Sequence, residues 1–275
     1  MSDERTATRR GRPRTQLGES KSLASPVVAL DRGIRILTIL ANEGSATLAE
    51  IAKSTDIPAA TAHRIVATLE ARGMVSQDLV SGKWRVGPQA FRIGSAFEEG
   101  SNLLEVAPPL MRRLSKETGE TANLAVEQGN ELIYLIQVES ENPIRASIKN
   151  GTSAYFHTSG VGKAIMAYMT RSKLVDLLGT FSLVRQTDNS ITEAEKLLIE
   201  LENIHSRGWA LDDEERFLGM RCIAAPVFDS LGNVIAGVSI SGPISRFPDD
   251  KLETLATAVQ NAAASMSENL KTSQA

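Results

Sequence analysis

An α+β chain of two domains is what the sequence predicts, and three observations carry that prediction. Its 275 residues are about twice a common domain length. Apolar residues recur at helical spacing between 27 and 72, whereas from 121 onward strand-like runs meander between helical ones. Charge is also divided: residues 1–86 hold 13 Lys and Arg against 9 Asp and Glu, and residues 87–275 hold 17 against 24. A basic N-terminal part in a chain of net charge −3 points to a nucleic-acid or membrane contact at that end.

Composition narrows the class further. Hydrophobic residues make up 42% of the chain, enough to bury a real core, and no stretch approaches the roughly 18 uninterrupted apolar residues of a membrane span. The N-terminus, MSDERTATRRGRPR, is polar where a secretory leader needs an apolar centre. A single cysteine excludes an internal disulfide framework, and with only His63, His157 and His205 beside it little is left for a zinc site. The expectation is a cytoplasmic protein that uses no cofactor and no metal and makes no membrane contact.

Taken in order, residues 1–24 read as a disordered basic tail. Within it Arg9-Arg10-Gly11-Arg12-Pro13-Arg14 is similar to the core of an AT-hook, an extended Arg-rich segment that lies in a narrow minor groove. The first folded unit is expected over 25–86. Ser25-Pro26 caps a helix whose Val27, Leu30, Ile34, Leu37 and Leu40 share one stripe. Thr47 and Glu50 fit a capping box at the start of a short second helix. A third helix is predicted over Pro58–Arg72 with Gly73 ending it, and alternating residues on either side of Leu79-Val80-Ser81-Gly82 predict a hairpin.

Three short helices and a hairpin form the winged helix-turn-helix pattern, in which the third helix enters the major groove of DNA. Its early residues are Ala59, Ala60, Thr61, His63 and Arg64. The last three can bond bases or phosphates, and the small alanines allow close approach and contact with a thymine methyl. Lys83 and Arg85 on the hairpin are placed to grip phosphate, with Trp84 packed beneath. The run Ile57-Pro58-x-x-Thr61-x-His63-Arg64, continued by Leu69-Glu70-x-x-Gly73 and by Trp84-Arg85-Val86-Gly87, resembles the DNA-binding domain of the IclR family of bacterial transcription regulators. Ala59 and Ala60 stand where that family usually carries Lys and Ser, which removes two of its DNA contacts.

Residues 87–104 read as a linker helix whose apolar Phe91, Ile93, Ala96, Phe97, Leu103 and Leu104 are suited to a dimer contact. A second domain is expected over 105–270. Pro108-Pro109 opens a helix through Lys116. Strands are predicted at Thr121–Val126, Leu132–Val138, Ile144–Ile148, Cys222–Phe228 and Val234–Ser241. Helices are predicted at Gly160–Met169, Leu174–Leu178, Glu193–His205 and about Pro248–Leu270. His157-Thr158-Ser159-Gly160-Val161-Gly162-Lys163-Ala164 and Asp212-Asp213-Glu214-Glu215, continued by Gly219-Met220-Arg221-Cys222, resemble the IclR effector-binding domain, which implies a GAF-like fold.

Ser239 and Ser241 alternate onto one face of their strand, and the amides of Ser159-Gly160-Val161 open a helix, a combination suited to an anion. The resemblance implies that Gly160, Val161, Asp212, Cys222, Ser239 and Ser241 surround a small carboxylate, and the residue types of Met220, Ile148 and Tyr155 suit an apolar wall. The resemblance also implies a repressor of a catabolic operon, binding palindromic double-stranded DNA as a homodimer or dimer of dimers. The effector's identity does not follow from the resemblance, and the serine-lined, amide-rich pocket favours a small organic acid or semialdehyde. Gly160-x-Gly162-Lys163 is not a phosphate loop, because His157 and Ala164 occupy positions that need Gly and Ser or Thr. The alternative is a hydrolase using Cys222 with His157 and Asp212. No residue is assigned a catalytic role in the main reading.

Overall fold

A computed structural model describes residues 27–99 and 102–272. The tail 1–24 with its Arg-Gly-Arg-Pro segment, and the Ser25-Pro26 cap, lie outside those residues. The chain divides into two compact units between Ala90 and Phe91.

In the first unit α1 (Val28–Glu43), α2 (Leu48–Thr55) and α3 (Ala59–Ala71) precede a hairpin of β1 (Val75–Gln77) and β2 (Trp84–Val86). The capping box is formed: Glu50 accepts the Thr47 amide at 2.7 Å, and Thr47 Oγ1 accepts the Glu50 amide at 3.3 Å. Asp56 adopts a left-handed conformation at φ 54°, which turns the chain sharply into Pro58 and α3. Ile36, Leu40, Ile51, Val66, Val75 and Trp84 make the core. The expected stripe on α1 is misplaced: Val27, Leu30 and Ile34 are exposed, and Gly33, Ile36 and Leu40 are the buried residues, because the face of the helix that meets α2 and α3 lies on another side. Trp84 and Ala46 exchange backbone hydrogen bonds at 2.7 and 2.9 Å, fastening the hairpin to the turn before α2.

The chain continues through α4 (Pro88–Glu99) and α5 (Asn102–Thr118). Pro108 and Pro109 lie inside α5 and do not open it. Each proline lacks an amide hydrogen and so removes one rung of the helical ladder. The helix persists because Leu103, Ala107, Met111 and Leu114 are buried on one stripe across the proline pair, so packing outweighs local propensity.

Six strands form one antiparallel sheet, ordered β5 (Ser153–Ala154), β4 (Glu131–Val138), β3 (Thr121–Gln128), β8 (Val234–Pro243), β7 (Met220–Phe228) and β6 (Ala210–Asp213). One face packs on α5 and on α9 (Leu252–Thr272) through Met111, Leu114, Leu124, Val238, Ile240 and Met266. The other face receives α6 (Gly160–Met166), where Val161 and Ala164 meet Ala125, Tyr134 and Ala224. Outside α6 lie α7 (Arg171–Thr180) and α8 (Ala194–Arg207), which add Leu177, Leu197, Leu201 and Ile204 to that second core.

Two departures from the sequence expectation shape the site. Ile144–Ile148 is not a strand. Its carbonyls are taken by side chains instead, Ile144 by Arg246 and Ala146 by Thr121, both at 3.0 Å, so the segment needs no strand partner. Arg246 is itself held by the buried carboxylate of Glu120. Conversely, Ala210–Asp213, two residues of which belong to the acidic run, forms edge strand β6, where Asp212 pairs with Cys222 in register.

Gly162 is the residue on which α6 docks. A methyl there would stand 2.2 Å from the Phe156 carbonyl oxygen, a backbone atom that cannot rotate aside. Gly162→Ala should cost about 1–3 kcal/mol and lower the thermal unfolding midpoint by several degrees. Gly179→Ala, with open space around the new methyl, should leave the midpoint unchanged or raise it.

Candidate functional site

The first unit presents one exposed face on α3. Ala62 and Val66 point into the core, so Ala59, Ala60, His63 and Arg64 face solvent and Thr61 is half-buried. No acidic residue stands in the first turn of α3. On the hairpin Trp84 is buried, Lys83 half-buried and Arg85 exposed. Among the described residues Arg64, Lys83 and Arg85 form no ion pair, so their charge is available to an external anion.

The second unit contains a cavity of about 220 Å³ between the sheet and the irregular segment 145–148. Asn123, Tyr134, Asp212, Cys222 and Ser241 reach it from five adjacent strands, Ser159 from the cap of α6, and Arg216 and Phe217 from the turn after β6. The polar groups on its floor are linked. Gln137 donates to Asn123 Oδ1 and Asn123 donates to Ser241 Oγ, each at 2.9 Å. Arg216 Nη1 donates to the Tyr134 hydroxyl at 3.0 Å, and that hydroxyl lies 3.4 Å from Ser159 Oγ.

Of the residues the sequence pointed to, Asp212, Cys222, Ser241, Met220 and Ile148 line this cavity. Gly160, Val161 and Ser239 stand behind its wall. A methyl on Gly160 would lie 3.1 Å from Cys222 Sγ, Val161 packs against Gly237, and the fully buried Ser239 hydroxyl lies beside the Cys222 thiol. Tyr155 packs against His157 away from the cavity. Asn123, Tyr134 and Arg216 escaped the sequence reading, and Ser159 entered it only through its backbone amide. The one local signal for Arg216 was an Arg-Phe pair directly after an acidic run.

That acidic run is engaged residue by residue. Asp212 Oδ1 accepts the amides of Glu215 at 2.8 Å and Arg216 at 3.3 Å. Asp213 pairs with Arg221 at 2.7 Å, Glu214 accepts the Gly219 amide at 2.5 Å, and Glu215 pairs with the buried Lys163. Lys163 also donates to the Leu211 carbonyl at 2.6 Å. Burial, reinforced by the neighbouring Glu215 charge and opposed by Lys163, pushes the Asp212 carboxyl up to about 7.

The nucleophile set is not assembled. His157 bonds the Val184 carbonyl at 3.0 Å and stacks on Phe181, and no hydrogen bond joins it to Cys222. Burial and the Asp212 charge push the Cys222 thiol up to about 12, the opposite of an activated thiolate.

Comparison with known proteins agrees with this division of labour. Residues 29–79 match the IclR helix-turn-helix domain, and residues 97–268 match the C-terminal domain of the bacterial transcriptional regulator IclR. The chain belongs to the IclR family. It is 44% identical over 260 residues to the HTH-type transcriptional regulator BhcR of Paracoccus denitrificans, covering 94% of this chain and 93% of the relative. It is 34% identical over 261 residues to the HTH-type transcriptional repressor AllR of Escherichia coli K12, covering 94% and 95%. The crystal structure of Thermotoga maritima IclR superposes with a TM-score of 0.69 at 30% identity, over 90% of this chain and all of that one. This IclR-family member is accordingly a two-domain, DNA-binding transcriptional regulator of α+β architecture.

The thiol makes a direct check on the cavity's electrostatics. In the folded protein at pH 8, Cys222 should resist iodoacetamide for hours, although it is only half-buried. In denaturant it should react at the rate of a free cysteine, as measured by mass spectrometry.

Proposed function

We propose that the protein is a cytoplasmic repressor of a catabolic operon, without enzymatic activity, whose operator binding or oligomerisation is controlled by a small organic acid or semialdehyde held in the cavity. The observation that carries the effector reading is the cavity itself. It is smaller than the roughly 300–1,000 Å³ of typical ligand pockets, it is lined on several sides by polar groups, and it lies in the unit that does not carry the DNA-reading face.

Ala59, Ala60, Thr61, His63 and Arg64 would read base edges, and Lys83 and Arg85 would hold phosphate. The exposed Phe91, Ile93 and Phe97 on α4 support a homodimer or dimer of dimers. Its symmetry would call for a palindromic operator with half-sites about one helical turn apart. An effector then acts by preferring one assembly over another, and the linker 87–104 passes that preference on as altered spacing of two DNA-binding domains. Among the described residues no helix is long and apolar enough to cross a membrane.

A gel shift on DNA upstream of the protein's own gene, repeated with small oxo acids, semialdehydes and aromatic acids, tests this. The expected outcome is a shift that one small acid or semialdehyde alters. A shift indifferent to every compound would remove the effector control, and an absent shift would remove the operator. Arg64→Ala should weaken binding by about 10-fold or more, as expected for loss of a base or phosphate contact.

Asp212 supplies the pH dependence. With its carboxyl at about 7, it is largely neutral at pH 6 and largely ionised at pH 8, where it repels an anion in the same cavity. Affinity for an acid effector should therefore fall as pH rises from 6 to 8. Asp212→Asn should flatten that profile in a calorimetric titration.

A further inference from the structure

We infer that Arg216 is the carboxylate anchor of the cavity, and that it makes the site selective for a monocarboxylate over the corresponding diacid or neutral amide. The inference rests on the organic-acid reading above and names the group that would carry it.

Three guanidinium groups line the cavity, and two are already neutralised. Arg221 is held between Asp213 and Asp249, both at 2.7 Å, and also donates to the Phe247 carbonyl. Arg145 pairs with Glu139 at 2.7 Å. Arg216 differs. Its one side-chain hydrogen bond goes to the neutral Tyr134 hydroxyl, and among the described residues no carboxylate stands within ion-pairing reach of it. A guanidinium has five N–H donors in a planar fork that matches a carboxylate edge to edge. Here most of that fork is left at the wall of a small cavity.

The guanidinium is also held in place before any ligand arrives. Its carbon lies 5.4 Å above the Tyr134 ring centre and 5.1 Å above that of Phe217. Its backbone is fixed by the Arg216 amide on Asp212 and by the left-handed Glu214, whose carboxylate closes the turn on Gly219. A cation pre-oriented by aromatic faces and a closed turn loses little freedom on taking a carboxylate.

Selectivity follows from charge. One unpaired guanidinium can neutralise one carboxylate. The other polar groups on the floor, Ser241, Cys222 and Asn123, are neutral, and Asp212 is an acid. A second carboxylate would meet no free cation, whereas an aldehyde, oxo or hydroxyl end can use those neutral groups.

The experiment is a calorimetric titration of the full-length protein. The probes are two- to four-carbon oxo, hydroxy and semialdehyde monocarboxylates, with the primary amides of the oxo and hydroxy acids and with succinate. Wild type should bind at least one monocarboxylate, and bind it more tightly than the amide or succinate. Arg216→Gln should weaken that monocarboxylate by about 10- to 100-fold, the scale of a charged hydrogen-bonded pair, while leaving amide binding and the gel shift in place. Arg216→Lys should recover part of the loss, because it keeps the charge without the fork. Tyr134→Phe should cost a few-fold by freeing the guanidinium.

An unchanged monocarboxylate affinity in Arg216→Gln, or an equal loss for acid and amide, would overturn the anchor while leaving the organic-acid reading intact. If wild type binds none of the acids, that reading falls and the anchor falls with it. Should Arg216→Gln fail to fold, judged by its melting curve, the Arg216→Lys ratio of acid to amide affinity decides the question. An unchanged ratio overturns the anchor.

Discussion

Lys163 is an ammonium group almost entirely removed from water, and the cavity side of the C-terminal unit depends on keeping it paired. It rises from α6, reaches the Leu211 carbonyl in β6, and meets Glu215 in the turn beyond. A buried ion pair gains little over well-packed apolar residues, but removing one partner strands the other charge at a cost of about 3–5 kcal/mol. The pair therefore fixes where things are more than it adds stability. It holds α6, the end of β6 and the 212–216 turn in one arrangement, and that turn carries Asp212 and Arg216 to the cavity. Gly162 serves the same end, since only a residue without Cβ lets α6 come down onto Phe156.

The two units treat positive charge in opposite ways. In the helical unit Arg64 on exposed α3 and Lys83 and Arg85 on the hairpin form no ion pair among the described residues, which suits a phosphate backbone. In the sheet unit nearly every cation near the cavity is consumed internally, by Glu139, Asp213, Asp249 and Glu215. Around the cavity those counter-charges leave Arg216 as the one lining guanidinium, among the described residues, without a carboxylate partner. The cysteine fits the same logic: a thiol under burial and beside Asp212 stays protonated and serves as a polarisable wall.

Much of the architecture was legible because it is encoded locally. The Thr47–Glu50 capping box lies within four residues, and the stripe of α3 and the hairpin alternation within a dozen, whereas α1 buries a side other than its apparent stripe. The family motifs around Thr61–Arg64, His157–Ala164 and Asp212–Gly219 are likewise contiguous. Asp212, Cys222 and Ser241 could be named for the cavity for that reason, together with the alternation of a single strand. The misreadings share the opposite property. Pro108 and Pro109 look like a helix start until the stripe on both sides of them meets the sheet. Ile144–Ile148 looks like a strand until Arg246 and Thr121, distant in sequence, take its carbonyls.

The sequence by itself determined the α+β class, the three-helix-and-hairpin unit, the family and the residues facing outward from α3, all of which follow from short-range periodicity and contiguous motifs. Only the tertiary structure decided which polar residues share one cavity. Asn123 and Tyr134 lie on neighbouring paired strands, but Ser241 joins them through strand pairing across 118 residues, a separation that leaves no periodic trace. It alone decided that Gly160, Val161 and Ser239 stand behind the wall while Arg216 stands in it. Whether an arginine is free or neutralised depends on where distant carboxylates fold to, and local spacing carries no information about that.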